Sequence, residues 1–231
     1  MSKTSKNILG DQRGKIGKVV GKVVDGVQMY SAYADSVRNP RTAKQIAHRA
    51  RFSTAIAIGR AMKGAINVGL KNIAANRKLQ SAFNVFIHEN MPHITYNPET
   101  GVTTPDYAHI TMAEGDTPLV SFGTLSFSEA LTVSVTFTGN NDIPGANDND
   151  SVYLLVYAPA LCRSMMSIAA RSTETVSVSL PTTWAGETVH VWGFVRTSAE
   201  EPTVIDDYGI TLRPGGCSES SYLGSGTVSG E

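Results

Sequence analysis

The sequence predicts an α+β protein with an N-terminal β-hairpin and two helices, followed by an antiparallel, immunoglobulin-like β-sandwich. Three observations predict this class. Helix-period patterning is confined to the stretch before residue 91, short runs of alternating apolar and polar residues fill the chain after residue 105, and turn-forming residues separate these runs. We therefore divide the chain into a segment of residues 1–95 and a sandwich domain of residues 105–231.

The hairpin is predicted by Asp25-Gly26, which separates two β-prone runs, KIGKVVGKVV and VQMYSAYA. Asp-Gly supplies two central residues that tolerate positive φ, as a tight two-residue turn requires. Residues 1–14, which carry glycine and charge and only one apolar pair, are expected to form a flexible arm.

The first helix is predicted to begin near Asn39 or Thr42. Asn39 can cap it with Pro40 at the first helical position, or Thr42 caps it and Gln45 completes a capping box. Apolar residues then recur at spacings of three and four, and we assign the apolar face of the helix to Phe52, Ile56, Ile66 and Leu70. A second helix is expected over residues 76–90. Three glycines predict close helix contacts or a break: Gly59, Gly64 and Gly69.

The sandwich strands are predicted from period-two patterning, as in VSVTF, VSVSL and VHVWGFV. The six predicted strands are residues 119–123, 131–138, 151–158, 174–180, 188–197 and 205–212. Trp184 and Trp192 are expected in or near the sandwich core, and an external carbohydrate platform is the alternative for them. The C-terminal GSGTVSG is expected to be a flexible tail.

The charge of the chain is divided between its two parts, although the net charge is zero. Residues 1–90 carry 16 lysines and arginines against four acidic residues, a net charge of +12. Residues 91–231 carry four against 16, a net charge of −12. A basic part on one copy and an acidic part on the next favour head-to-tail assembly.

A basic stripe on the first helix is the main candidate interaction site. Its residues follow at steps of three and four and share one helix face: Arg41, Lys44, His48 and Arg51. We assign to it the binding of an acidic protein surface. Nucleic-acid phosphates are the less favoured alternative, because the stripe lacks the interleaved aromatic residues that suit single strands. A solvated helix face without a binding role also fits.

The sequence contains no catalytic motif that we can identify, so we expect no enzymatic activity, no cofactor and no metal. Asp142, Asp148 and Asp150 lack the spacing of a calcium loop and are expected to be solvent-facing turn residues. Cys162 and Cys217 favour two free thiols over a disulfide. Neither a membrane-spanning run nor a secretory signal is expected.

Five stretches of the chain resemble a family of uncharacterised proteins from Bacteroidota and their phages and prophages. In order, they are GDQRGKIGKVVG, NPRTAKQIAHRARFSTA, VYLLVYAP, LPTTWAGETVHVWGFV and SESSYLG. The pattern Asn-Pro-x-Thr-x-x-Gln-x-x-x-Arg-x-x-Phe, which begins at Asn39 and ends at Phe52, is similar to segments common in phage structural proteins. The resemblance implies a virion or prophage setting and no activity.

The expected function is that of a non-enzymatic structural protein of a phage particle, in a tail or head–tail connector ring. Its partners would be its own copies and other virion proteins, and it would be made in the bacterial cytoplasm and located in the virion. Two alternatives remain. One is a receptor- or glycan-binding sandwich anchored by the N-terminal part, and the other is a nucleic-acid-binding protein that uses the basic half.

Overall fold

The computed structural model describes residues 2–4, 13–24, 27–34, 36, 41–77, 81–128, 131–197 and 216–229. Contacts group the chain into two compact units, Met1–Thr42 and Ala43–Glu231. In the part of the chain described, no helix combines the length and the apolar character that crossing a membrane requires.

The first unit contains a four-stranded antiparallel sheet in the order β1-β4-β3-β2. Its strands are β1 (Ser2–Thr4), β2 (Gly14–Ile16), β3 (Val19–Val24) and β4 (Val27–Ala32). Pairing of β3 with β4 extends to Val24 opposite Val27, which confirms the predicted hairpin. Its turn residues, Asp25 and Gly26, lie outside the described residues. Ser2–Thr4, expected in a flexible arm, instead pairs with the free edge of β4.

The second unit begins with four helices: α1 (Ala43–Ala61), α2 (Lys63–Gly69), α3 (Lys71–Asn76) and α4 (Ala82–Asn90). The first predicted helix is therefore broken at Met62 and Leu70. The second starts later than predicted, because Ser81 caps α4 by accepting a hydrogen bond from the amide of Asn84 at 3.2 Å. The predicted cap residues Asn39 and Pro40 lie outside the described residues. A short hairpin follows, formed by β5 (Ile94–Tyr96) and β6 (Thr103–Pro105).

Seven further strands form two facing sheets, in the orders β11-β8-β7 and β10-β9-β12-β13. They are β7 (Ser121–Ser128), β8 (Thr132–Thr138), β9 (Ser151–Ala158), β10 (Arg163–Ala170), β11 (Thr175–Ser179), β12 (Thr188–Arg196) and β13 (Ser221–Thr227). Lettered A to G in chain order, they differ from the ABED/CFG arrangement of constant immunoglobulin domains in one respect, since the fourth strand pairs with the third. The predicted α+β fold class with an antiparallel sandwich is confirmed.

Two sandwich strands, β10 and β13, were not predicted. The predicted strand over residues 205–212 lies outside the described residues. β10 is an edge strand whose residues, RSMMSIAA, do not alternate in polarity. β13 covers most of the expected flexible tail and pairs with β12. The glycines of β13 are the reason that its sequence does not resemble a strand. They are required by packing, since a Cβ at Gly226 would lie 2.4 Å from the ring of Phe127.

The larger sheet is covered on both faces. Along β9, Val152, Leu154 and Val156 pack into one cluster with residues of β8 and β11, whereas Tyr153 and Leu155 pack into a second cluster with the helices. This two-sided burial explains the continuous apolar run of β9.

The helices and the larger sheet thus share one core. Ile66 of α2 and Phe86 of α4 belong to the same buried cluster as Trp192 and Phe194 of β12. The predicted boundary at residues 95–105 runs through this compact unit. Independent folding of residues 105–231 stays a prediction.

Candidate interaction surface and neighbouring cavity

Helix α1 carries a seam of residues that changes from basic to buried along its length. From Lys44 the seam continues at steps of four and three through His48 and Arg51, and its later members are Ala55, Ile58 and, just after the helix, Met62. The last three are almost fully buried, whereas Lys44 and His48 are exposed. The basic stripe is therefore the N-terminal continuation of the buried side of α1.

The four predicted stripe residues do not all lie on the helix. Arg41 precedes the first residue of α1 and belongs to the first compact unit. Lys44, His48 and Arg51 share one face of α1, as predicted. Arg51 is half-buried, and among the described residues its Nε atom has no hydrogen-bond partner.

The predicted apolar face is divided between the core and the surface. Ile66 and Leu70 are fully buried, but Phe52 is 44% exposed and Ile56 is half-buried. The buried residues of α1 are instead Ala55, Ile58 and Gly59, two of which are smaller than either Phe52 or Ile56. Gly59 permits this approach, because a Cβ there would lie 2.9 Å from a ring carbon of Phe83 and 3.0 Å from one of Phe86.

Phe52 and Ile56 therefore form part of an exposed ridge. Arg60 and Lys63 follow them at steps of four and three, and both are exposed. We call these four residues the Phe52 ridge. The helices α1 to α3 contain six lysines and arginines and no acidic residue, so nothing on them neutralises the ridge.

The sheet of the first unit separates basic from uncharged residues by face. Lys15 lies opposite Val20, so it shares a face with Lys22, two residues further along β3. The ammonium group of Lys15 lies 3.5 Å from the centre of the Tyr33 ring, a cation–π contact. The other face carries Ile16 and Val19, which are 49% and 39% exposed. The sheet thus presents an uncharged face as well as a basic one.

A cavity of about 310 Å³ lies beside α1 in the second unit. It is bounded by α1, by the β5–β6 hairpin, and by the turn that joins β9 to β10. Its lining residues are Ser53, Thr54, Ala57, Ile58, Thr103, Pro105, Tyr107, Tyr157, Pro159 and Cys162. The hydroxyls of Thr54 and Thr103 are 2.7 Å apart, which ties α1 to β6. The lining contains no Asp, Glu, Lys, Arg or His side chain, so the cavity suits a small uncharged group.

The two tyrosines of the cavity stay protonated at neutral pH. Burial raises the pKa of Tyr157 and, to a smaller extent, that of Tyr107. The exposed Cys162 sits in a left-handed turn with φ of 49°, and its thiol donates to the carbonyl of Pro159 at 3.4 Å.

Next to the cavity, aromatic rings surround His190. Its Nδ1 lies 2.9 Å from the hydroxyl of Tyr222, and its ring centre lies 3.9 Å from that of Tyr107. Burial lowers the pKa of His190 below its ordinary value. Trp192 is fully buried beside it, and among the described residues its Nε1 has no hydrogen-bond partner.

The loop of residues 139–150 contains three aspartates and no basic residue, and we call it the acidic loop. Asp142 and Asp148 are exposed, as predicted, but Asp150 is fully buried. This corrects the expectation that all three face solvent. The Asp150 carboxylate lies 3.3 Å from Nη2 of the fully buried Arg171 and also accepts from the amide of Asn147 at 3.0 Å. Its charge is compensated inside the protein.

Arg171 has a structural role that the sequence patterns did not predict. Its Nη1 donates to the carbonyl of Gly139 and its Nη2 to that of Pro118, each at 2.5 Å. One guanidinium thereby anchors the acidic loop to the chain before β7. Its only sequence signal was its rarity, as one of four basic residues after residue 90.

The two tryptophans are core residues and the two cysteines are unpaired with each other. Trp184 and Trp192 are buried, as expected, so neither ring can serve as an external carbohydrate platform. Both cysteines are free thiols, Cys162 exposed and Cys217 buried. In the described part of the chain, no three His, Cys, Asp or Glu side chains group as a metal site would require.

One protein family matches most of the chain, and no curated protein does. The match covers residues 11–205 and so includes strands β2 to β4 of the first sheet, the helices and strands β7 to β12 of the sandwich. The chain belongs to this family, whose description is "Family of unknown function (DUF6266)".

Proposed function

We propose that this family member is a non-enzymatic structural protein of a phage particle, in a tail or head–tail connector ring, whose copies associate through the basic N-terminal segment. In this setting it would be made in the bacterial cytoplasm and act in the virion. Its partners would be further copies of the chain and other virion proteins. The setting rests on the resemblance of the Asn39-to-Phe52 pattern to segments of phage structural proteins.

The observation that carries the assembly role is the exposed basic and apolar surface of the N-terminal segment. At the N-terminal end of the seam, Lys44 and His48 are exposed, whereas the later residues on the same side of α1 are buried. Beside these two exposed residues, Phe52, whose ring stacks with that of His48 at a centroid distance of 6.4 Å, is 44% exposed. Protein interfaces commonly have an apolar centre surrounded by a polar rim.

The first sheet adds to this support. Four of the large apolar side chains here are at least a third exposed: Ile16, Val19 and Val27 in the strands, and Tyr33 just after β4. A small sheet that exposes such residues gains stability when a second surface covers them. Partner copies supply such a surface, and their acidic parts attract the lysines of the sheet.

Charge reversal tests the proposal. In the full chain, Arg41, Lys44 and Arg51 are replaced by glutamate, and Arg163→Glu on β10 is the control outside the basic segment. Light scattering should show that the triple variant loses oligomers at low salt while its circular dichroism stays like that of the parent. The control should assemble normally. A triple variant that assembles like the parent contradicts the proposal. Single-stranded DNA that binds the parent but not the triple variant would favour the nucleic-acid alternative.

Two apolar substitutions separate assembly from folding. Phe52 is partly exposed and Leu70 is fully buried. Phe52→Asp should leave the fold intact and weaken oligomers at every salt concentration, because it removes apolar contact area between copies. Leu70→Asp places a charge in the core and should unfold the second unit. An assembled Phe52→Asp variant would exclude Phe52 from the interface.

A further inference from the structure

The Phe52 ridge and the acidic loop are complementary surfaces on one chain. The ridge carries two basic residues, Arg60 and Lys63, whereas the acidic loop carries two exposed acidic residues, Asp142 and Asp148, and no basic one. Each also presents a large exposed apolar side chain, since Phe52 is 44% and Ile143 46% exposed. A charged surface with an apolar centre needs a partner of opposite charge that also has an apolar centre.

Both surfaces are available to another molecule. The ion pairs among the described residues include none of Arg60, Lys63, Asp142 and Glu174. Glu174 adds a third exposed carboxylate near the loop, because the amide of Ser172 donates to the carbonyl of Asp148 at 3.2 Å.

The acidic loop is also held in a defined conformation. Arg171 bonds the carbonyl of Gly139 at the start of the loop and pairs with Asp150 at its end. Within the loop, the amide of Ile143 donates to the carbonyl of Asn140 at 3.2 Å, and that of Ala146 donates to the carbonyl of Ile143 at 3.0 Å. A loop that is ordered before binding loses less conformational entropy when it docks.

We infer that the acidic loop of one copy docks on the Phe52 ridge of the next copy, which gives the proposed assembly its contact surfaces and rests on that proposal. Ile143 packs against Phe52 and Ile56 of the neighbour. Asp142 and Asp148 face its Arg60 and Lys63. The two surfaces differ, so the contact is head-to-tail, and repetition closes a ring or extends a filament.

A second copy fits the ridge better than nucleic acid does. Phosphates would satisfy Arg60 and Lys63, but they would leave Ile143 exposed and give the acidic loop no role. A partner that carries carboxylates as well as an apolar side chain can pair with Arg60 and Lys63 and also cover Phe52 and Ile56. The acidic loop is such a partner.

A charge swap in the full chain tests the inference. Variant R carries Arg60→Glu and Lys63→Glu, variant L carries Asp142→Lys and Asp148→Lys, and variant RL carries all four changes. Sedimentation velocity at low salt measures association, and circular dichroism with thermal melting verifies that each variant is folded. Variants R and L each bring like charges together, so each should associate at least about tenfold more weakly than the parent. Variant RL restores opposite charges and should associate within about threefold of the parent.

Mixing the variants makes the test specific for a head-to-tail contact. The unchanged loop of variant R matches the unchanged ridge of variant L, and the two reversed surfaces match each other. An equimolar mixture of R and L should therefore assemble although each alone does not. If the parent assembles but neither RL nor the mixture recovers, the inference is wrong and the proposed assembly function stands. A parent that stays monomeric contradicts the assembly function and this inference with it.

Discussion

The guanidinium of Arg171 lies 3.3 Å from the carboxylate of Asp150, and both side chains are completely removed from solvent. The pair closes the base of the acidic loop, and the same guanidinium holds the carbonyls of Gly139 and Pro118. The buried charges are tolerated because each has a partner of opposite sign and further hydrogen bonds.

Asp150→Ala should destabilise the fold by about 3–5 kcal/mol, because it leaves the buried guanidinium uncompensated. The matched control is Asp142→Ala in the same loop, which removes an exposed carboxylate and should change the free energy of unfolding by less than about 0.5 kcal/mol. Urea unfolding followed by circular dichroism measures both. Equal effects of the two substitutions would contradict the assigned role of the pair.

Two glycines of α2 should respond in opposite ways to alanine. A Cβ at Gly69 would lie 2.3 Å from the carbonyl oxygen of Met112, a backbone atom that cannot move aside easily. Gly69→Ala should therefore cost about 1–3 kcal/mol of stability. Gly64 faces open space, so Gly64→Ala should stabilise the helix by about 0.5–1 kcal/mol. Thermal melts of the two variants provide the comparison, and a stabilised Gly69→Ala variant would refute the close contact.

Stability should fall as the pH drops below about 6.5. Burial lowers the pKa of His190 in the folded state, so the unfolded state binds more protons in the range just below its ordinary pKa. The stability that the neutral imidazole contributes is fully present above that pKa and is lost as the pH falls towards the folded value. His190→Gln should flatten the dependence of the unfolding free energy between pH 7 and about pH 5. His88→Gln, at a largely exposed position, is the control, and an unchanged slope in the His190 variant would exclude this histidine as the source.

A fragment of residues 105–231 should keep the β-sheet signal in circular dichroism, because both sheets and the core between them remain. It should also bind a hydrophobic dye and melt below the full chain. Removal of the helices uncovers the side of the larger sheet that carries Tyr153, Leu155 and Phe194. A random-coil spectrum would show that the sandwich depends on the N-terminal part, and absence of dye binding would show that this sheet face is covered in another way.

The features that sequence patterns predicted are those set by local alternation or by turn chemistry. Both ends of β9 were predicted correctly, because a strand that is buried on both faces is continuously apolar. The hairpin followed from Asp25-Gly26, since its two flanking strands pair in the register that a two-residue turn imposes.

The features that the sequence patterns did not predict depend on contacts between distant elements. Phe52 and Ile56 are more hydrophobic than Ala55 and Gly59, so periodicity alone favoured them for the core. The structure buries the smaller pair, because the rings of Phe83 and Phe86 occupy the space against Gly59. Asp150 has the same local signal as Asp142, and only its pairing with Arg171 distinguishes it. The sequence therefore predicted the charge of the candidate surface, but it did not predict which of its side chains are exposed.

The mass of the full-length chain in solution tests the central claim, assembly through the basic N-terminal segment, most directly. Light scattering at several protein concentrations would be compared at about 0.05 M and 1 M salt, since the range of unscreened attraction falls to about 3 Å at the higher value. The account predicts a mass several times that of the 24.6 kDa chain at low salt and a clear decrease at high salt. A monomer at both salt concentrations would contradict it.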